Sequence, residues 1–328
     1  MADTEDAPDF PTGGRDTWGA LSEIGSGAFG VVYASGARPG VAVKRMLPAH
    51  SDEDVVGRAA REYALGFLAR GPCVVAHLEH IGRDLVLELC APAPRPVRAD
   101  SVLAALRDML TGLSSIHRAG IVHGDIKPEN VMYSGGRLKI IDFSSSFTAD
   151  EGRGLYMRGG AHTITITHRP PELAAGYPHL EPSADVYAGA LTLLEFRAPA
   201  GHLVPVSSND DSCARLLYGI ENTLGPMDPP EGSMLAGALH VLWDNSHRIL
   251  PSSRHLLGLA RPDCALSGAD LVRSRLLDLP NGCRRRVRRL VWDMLNPGDH
   301  TARPSSEQAL AVMESWFAPA PPAAPAHA

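Results

Sequence analysis

The chain has 328 residues, is 44% hydrophobic and carries a formal net charge of −6, enough for one large domain or two modest ones and without the bulk positive charge that attracts nucleic acid. No stretch approaches the roughly 18 uninterrupted apolar residues of a membrane span, and the first ten residues, MADTEDAPDF, lack the apolar run of a secretory or transit segment. The five cysteines, an odd number with no C-x-x-C pair, read as reduced thiols and not as a zinc site, so an intracellular protein of cytoplasm or nucleus is expected.

In chain order, residues 1–17 are acidic with Pro and Gly and are expected to be disordered. SEIGSGAFGVVYAS alternates around glycines and reads as a hairpin, and GVAVKRML as the next strand. Residues 51–70 read as a helix with Ser51 as its N-cap. DLVLELC (84–90) reads as a buried strand, followed by the Pro-rich APAPRPVR. Helices are expected at 100–118, 183–196, 211–224, 284–296 and about 305–317, and 318–328 is a Pro/Ala tail with nothing to bury. Strands thus dominate to about residue 90 and helices after it. That pattern predicts an α+β protein of two lobes, a small β-rich one over 18–89 and a larger helical one over 95–317, joined by a hinge near 89–95.

Of 31 basic side chains only three, Lys44, Lys127 and Lys139, are lysines. Where arginine is the default, a lysine points to chemistry, and two of the three fall in motifs. Gly25, Gly27 and Gly30 form G-x-G-x-x-G, completed by Val32. Glycines let backbone N–H groups approach phosphate oxygens. A dinucleotide-binding turn would need a helix next, but VVYAS is strand-like. Lys44 lies on the following strand, where its ammonium could reach phosphates. It needs a carboxylate to hold it, and Glu62 in the next helix is the natural partner. Glu53 competes but sits in the first helical turn, where it would favour the dipole.

In HGDIKPEN, Asp125 can accept the proton of an attacking hydroxyl and Lys127 can neutralise a moving phosphate. Asn130 offers an amide oxygen, and Asp142 a carboxylate, to a hard ion such as Mg²⁺. Phosphoryl transfer asks for positioning, metal ions and charge stabilisation, and these residue types supply them.

With the G-x-G-x-x-G-x-V, V-A-V-K, Glu, H-x-D-x-K-P-E-N and D-F-x elements in this order, the sequence resembles the eukaryotic-type protein kinases. The resemblance spans about 18–317 and implies the bilobal kinase fold, ATP and Mg²⁺ as cofactors, and protein substrates. HRPPEL resembles the A-P-E motif, with Glu172 paired to Arg303. Asp185 resembles the aspartate that braces the catalytic loop, and Thr165 the threonine that bonds the catalytic Asp and Lys. K-P-E-N resembles the serine/threonine type. TITHRPPEL and CARLLYGIENTLGPMDP resemble the cyclin-dependent and MAP kinase group, which implies a possible regulatory protein partner. His168 stands where that group has tyrosine. At the hinge, Leu87 matches the gatekeeper position. Adenine is expected on the backbone near Glu88 and Cys90, between Ile24, Val32, Ala42 and Met132. The distance from Asp185 to Arg303 implies an insertion within 198–283. The compactness and altered motifs are similar to those of kinases of large DNA viruses such as herpesviruses.

Two departures stand out. Gly124 replaces the arginine that clamps a phosphorylated activation loop in many kinases, which implies weaker dependence on phosphorylation among Ser145, Ser146, Thr148, Tyr156, Thr163 and Thr165. Ser144 replaces a glycine, and its Cβ is expected to restrict positive φ there. H-G-D-x-x-x-x-N is also the loop of small-molecule phosphotransferases, and a non-catalytic scaffold is the remaining alternative. Against the first stand the K-P inside the loop, the Pro-Pro-Glu element and Arg303; against the second stand the intact lysine, base and metal ligands. The arginines of CRRRVRRLVW read as a solvated face beside a Val287/Leu290/Val291 stripe, or as a nuclear-import or acidic-partner patch.

Overall fold

The computed structural model describes residues 18–48, 55–95, 97–151, 165–197, 203–204, 213–224, 227–246, 272, 274–276, 278–279 and 281–317. Its first half is built on one antiparallel sheet of β1 (Leu21–Gly27), β2 (Gly30–Ser35), β3 (Val41–Met46), β4 (His77–Ile81) and β5 (Asp84–Glu88), in the order β1-β2-β3-β5-β4. Strand alternation splits this sheet cleanly, because successive side chains point to opposite faces. Val41, Val43 and Val86 pack with Trp18 on one face. Met46 and Leu85 pack on the other, against Val55 and Ala59 of helix α1 (Val55–Leu68). Lys44 shares the second face, so β3 delivers its ammonium toward the helix.

Helix α1 buries Val55, Ala59, Glu62, Leu65 and Gly66, the near 3.6-residue spacing of one helical stripe. It begins at Val55, inside the span expected from sequence; the proposed N-cap Ser51 and the competitor Glu53 lie outside the described residues. The buried strand expected over 84–90 stops at Glu88, and β6 (Ala91–Pro92) leaves to pair with the second half of the molecule.

There, α2 (Val102–Arg118) and α4 (Pro182–Glu195) cross in a large apolar core, with α3 (Pro171–Ala174), α5 (Cys213–Leu224), α6 (Met234–Ser246), α7 (Asn281–Leu295) and α8 (Ser306–Ser315) around them. Helix α4 is buried almost throughout, as expected of a helix without a polar face. Helix α8 starts with a capping box in which Ser305 and Gln308 exchange hydrogen bonds. Between the two halves lie β7 (Ile121–Val122), paired with β10 (Phe147–Thr148), and the hairpin of β8 (Val131–Ser134) and β9 (Arg137–Ile140). Gly135 and Gly136 turn this hairpin with φ of 58° and 79°, the two-residue turn that matches strand twist. The bilobal α+β expectation therefore holds. Helix α6 and the β8–β9 pair were not among the expected elements. The segment 198–283 falls largely outside the described residues, and no described helix is long and apolar enough to cross a membrane.

Candidate active site

The β1–β2 hairpin supplies the glycine-rich edge. A Cβ at Gly25 or Gly27 would meet nothing within 4 Å, whereas one at Gly30 would come 2.7 Å from Arg45 O. The first two glycines thus leave an open backbone face, and the third is demanded by the approach of β3. Ile24 is exposed, Val32 half-buried and Ala42 buried on the adjoining strands.

Lys44 is enclosed by two carboxylates. Its Nζ donates to Glu62 Oε1 at 2.8 Å and Oε2 at 3.1 Å, and to Asp142 Oδ1 at 2.7 Å. Burial pulls the ammonium pKa down, but Glu62 and Asp142 outweigh it and hold it above its ordinary value. Burial pushes the Glu62 carboxyl up, and Lys44 opposes that push. For Asp142 burial acts upward too, yet Lys44 and the groups of Ser144 win and hold it down to about 2. The site is therefore set with Asp142 ionised.

Asp142 has φ of 65°, and Ser144 is not among the described residues with positive φ. The strain expected at Ser144 is carried by Asp142 instead. Ser144 uses its backbone N–H to bond Asp142 Oδ1 at 3.3 Å, so its Cβ does not meet the restriction foreseen for it. Phe143 is buried between His123 (5.1 Å between ring centres) and His77 (5.4 Å), both edge-on.

The loop after β7 assembles the remaining polar groups. Asp125 Oδ1 accepts from the Thr165 hydroxyl at 2.7 Å, while Lys127 Nζ lies 2.7 Å from Asp125 Oδ2 and donates to Thr165 Oγ1 at 2.8 Å. Asn130 Nδ2 donates to Asp125 O (2.8 Å) and Oδ2 (3.0 Å), which fixes its amide and turns its oxygen away from Asp125. The loop backbone hangs on Asp185, which accepts from His123 N at 2.8 Å, Gly124 N at 3.0 Å and His117 Nε2 at 3.0 Å. Burial would raise the Asp185 carboxyl, but these donors hold it low. Arg303 makes a two-pronged bond to Glu172 at 2.7 and 2.8 Å, fully enclosed, and stacks over Tyr187 at 4.9 Å. Such a fork fixes α3 against the start of α8.

At the hinge, Leu87, Cys90 and Met132 are all half-buried. Burial pushes the Cys90 thiol up to about 11, the behaviour of a small hydrophobe rather than a nucleophile. The Glu88 carboxylate does not face the slot; it accepts from Ser134 Oγ at 2.7 Å and Lys139 Nζ at 3.1 Å. Sequence reasoning missed His77 and Gly66, whose contact is through space between α1 and β4, and Arg61. Arg61 donates to Ser146 O at 2.8 Å and to Glu151 at 2.7 Å. Of the loop hydroxyls, Tyr156 and Thr163 lie outside the described residues. The α7 stripe Val287/Leu290/Val291 is buried, as expected. A cleft of about 630 Å³ beside it, lined by Arg289, Leu290, Arg303 and Trp316, contains none of the groups around Asp125 and is not read as the reaction site.

The family model described as the protein kinase domain matches residues 18–317. The chain is 29% identical over 203 residues to the serine/threonine-protein kinase mos of Xenopus laevis, covering 58% of this chain and 55% of that one. It is 32% identical over 193 residues to cyclin-dependent kinase 20 of Rattus norvegicus, covering 53% and 54%. The chain thus spans about half the length of the curated relatives it matches. Among solved structures, a chain of the CAK complex of Chaetomium thermophilum bound to ATP-gamma-S superimposes with a TM-score of 0.62 at 21% identity, over 92% of this chain and 90% of that one.

Proposed function

Because the chain belongs to the protein kinase family, we propose that it is a serine/threonine protein kinase that transfers the terminal phosphate of ATP to protein hydroxyls. The observation that carries this reading is Lys44 gripped at once by Glu62 and Asp142, with Asp125, Lys127 and Thr165 joined nearby. A buried ammonium is costly unless paired, and here the buried Glu62 and the part-exposed Asp142 both hold it.

In this reading the open face of Gly25 and Gly27 covers the phosphates and Lys44 holds them. The base lies between Ile24, Val32 and Ala42 above and Met132 below, along the backbone of Glu88 and Cys90. A substrate hydroxyl attacks the terminal phosphorus, its proton passes to Asp125, the bond to the ADP oxygen breaks, and Lys127 balances the charge on the moving group. Mg²⁺ fits the residues present: Asn130, its amide nitrogen spent on Asp125, presents an oxygen, and ionised Asp142 presents a carboxylate. Asn130 and Asp142 would supply two protein ligands, with the ion's others coming from phosphates and water. When bound, the ion neutralises phosphate charge and orients the leaving group.

The Glu172–Arg303 fork and the Thr165 bonds to Asp125 and Lys127 support a protein-substrate platform over a small-molecule acceptor site. A regulatory protein partner is part of the same reading, since α1 exposes Val56, Phe67 and Leu68. Replacing Asp125 with Asn should abolish transfer from radiolabelled ATP to a serine/threonine peptide array while ATP still shifts the melting temperature. Retained transfer in that variant refutes the assignment of Asp125, and a wild-type chain that ATP fails to stabilise refutes the kinase reading.

A further inference from the structure

Lys139, one of the three lysines in the chain, has no part in the chemistry just described. It lies on β9 with its side chain 13% exposed, 3.1 Å from Glu88 Oε2, and the Glu88 side chain is 23% exposed. The same carboxylate takes the Ser134 hydroxyl at 2.7 Å and the Ala76 N–H at 3.2 Å. All these donors converge on one carboxylate at the end of β5, where the chain passes to the second half of the molecule.

The strand registers give the grip its meaning. Glu88 is the last residue of β5, opposite Val41, and Leu87 before it is opposite Ala42. Those strands form the upper wall of the proposed base slot. On the other side, Lys139 is directly opposite Met132 on the β8–β9 pair, and Met132 is opposite Pro92 of β6. Met132 is the lower wall. The ion pair therefore ties the end of the upper wall to the strand beside the lower one, three residues ahead of Asp142. A pair this enclosed is little screened by salt and holds its geometry better than a surface pair.

We propose that Lys139 is a positioning residue for the nucleotide: by holding Glu88 it sets the spacing between the Ala42 wall and the Met132 wall that receive the base. The proposal rests on the kinase reading and adds a residue to it. Lys139 touches neither phosphate nor acceptor in this arrangement, so its loss acts on binding of the base and not on the transfer step.

The test is steady-state kinetics with ATP and a peptide substrate on Lys139→Met, which keeps the stem and removes the charge. The expected result is a KM for ATP raised about five- to tenfold with kcat within about twofold of wild type. Lys139→Arg, which restores a cation, should return KM to within about twofold of wild type. Ser134→Ala removes only one hydroxyl from the same carboxylate, should remain folded, and should raise KM in the same direction by about twofold. Unchanged KM in both Lys139→Met and Ser134→Ala overturns the proposal, as does a fall confined to kcat. If Lys139→Met does not fold, the KM of Ser134→Ala decides alone. Wild-type protein that neither binds nor uses ATP refutes the kinase reading itself, a result distinct from an active kinase indifferent to Lys139.

Discussion

Lowering the pH from 7 to 5 protonates the His77 imidazole in the unfolded chain, while the fold keeps it neutral. His77 is 6% exposed, with Nδ1 3.2 Å from Val75 O and Nε2 without a partner. Its ring is packed by Phe143, Tyr63 and the bare backbone of Gly66. Burial dominates and lowers its pKa from 6.5 to about 4; Lys44 adds to the fall and Asp142 opposes it. The unfolded chain thus binds a proton below about 6.5, the folded chain only below about 4. Between those values the unfolded state holds more protons, so stability is full above the window and is lost as pH falls through it. At about 1.4 kcal/mol per unit, the loss from this one group reaches about 2 kcal/mol at pH 5 and about 3 kcal/mol below pH 4. Urea unfolding of wild type and His77→Leu at pH 7 and pH 5 isolates it, because the other histidines are common to both proteins. Wild type should lose about 2 kcal/mol more than the variant between the two pH values. Equal losses would refute the claim that the ring is held neutral by burial.

Two further outcomes follow from neighbouring contacts. A Cβ at position 66 would lie 2.1 Å from His77 Cε1 and 2.3 Å from Nε2, so Gly66→Leu should destabilise by about 3 kcal/mol or more, and adding His77→Ala should recover most of the loss in thermal melts; no recovery would show that the two positions do not share one space. Glu151, a carboxylate of the chain itself, already occupies Arg61, and Gly124 offers no cation to a phosphate, so phosphatase-treated enzyme should keep most of its peptide-kinase activity, and a drop to background would contradict this.

The residues that could be read from sequence are those whose chemistry is tied to fixed local spacing. Asp125, Lys127 and Asn130 share one turn of loop, and the three glycines share one hairpin. Lys44–Glu62 and Glu172–Arg303 are 18 and 131 residues apart, and no local periodicity links them; the first pair was read from the lysine's need for a carboxylate in the next helix, the second only from the resemblance of the whole chain to kinases. The β8–β9 hairpin had a local signal, Gly135-Gly136 between strand-like runs, that went unused. The His77–Gly66 fit had none, because a missing side chain on a helix and a ring on a strand are matched only after α1 docks on the sheet. Lys139 was conspicuous by composition, but its partner Glu88 is 51 residues away, so its role needed the strand registers.

Gly124 shows how a motif departure can be read differently once its backbone is known. The resemblance to kinases implies that the glycine stands in place of an arginine. In the structure Gly124 has φ of 78°, and a Cβ there would come 2.9 Å from Ser145 O and 3.2 Å from the Phe147 ring. Left-handed backbone costs a residue with a Cβ about 1 kcal/mol or more, so the loop as it stands favours glycine on its own account. The groups that hold the loop are elsewhere: Asp185 takes the N–H groups of His123 and Gly124, and Ser146 Oγ donates to His123 O. None of these bonds needs a side chain at 124. Glycine at this position therefore suits the left-handed turn on its own account, and Asp125 keeps every contact that places it.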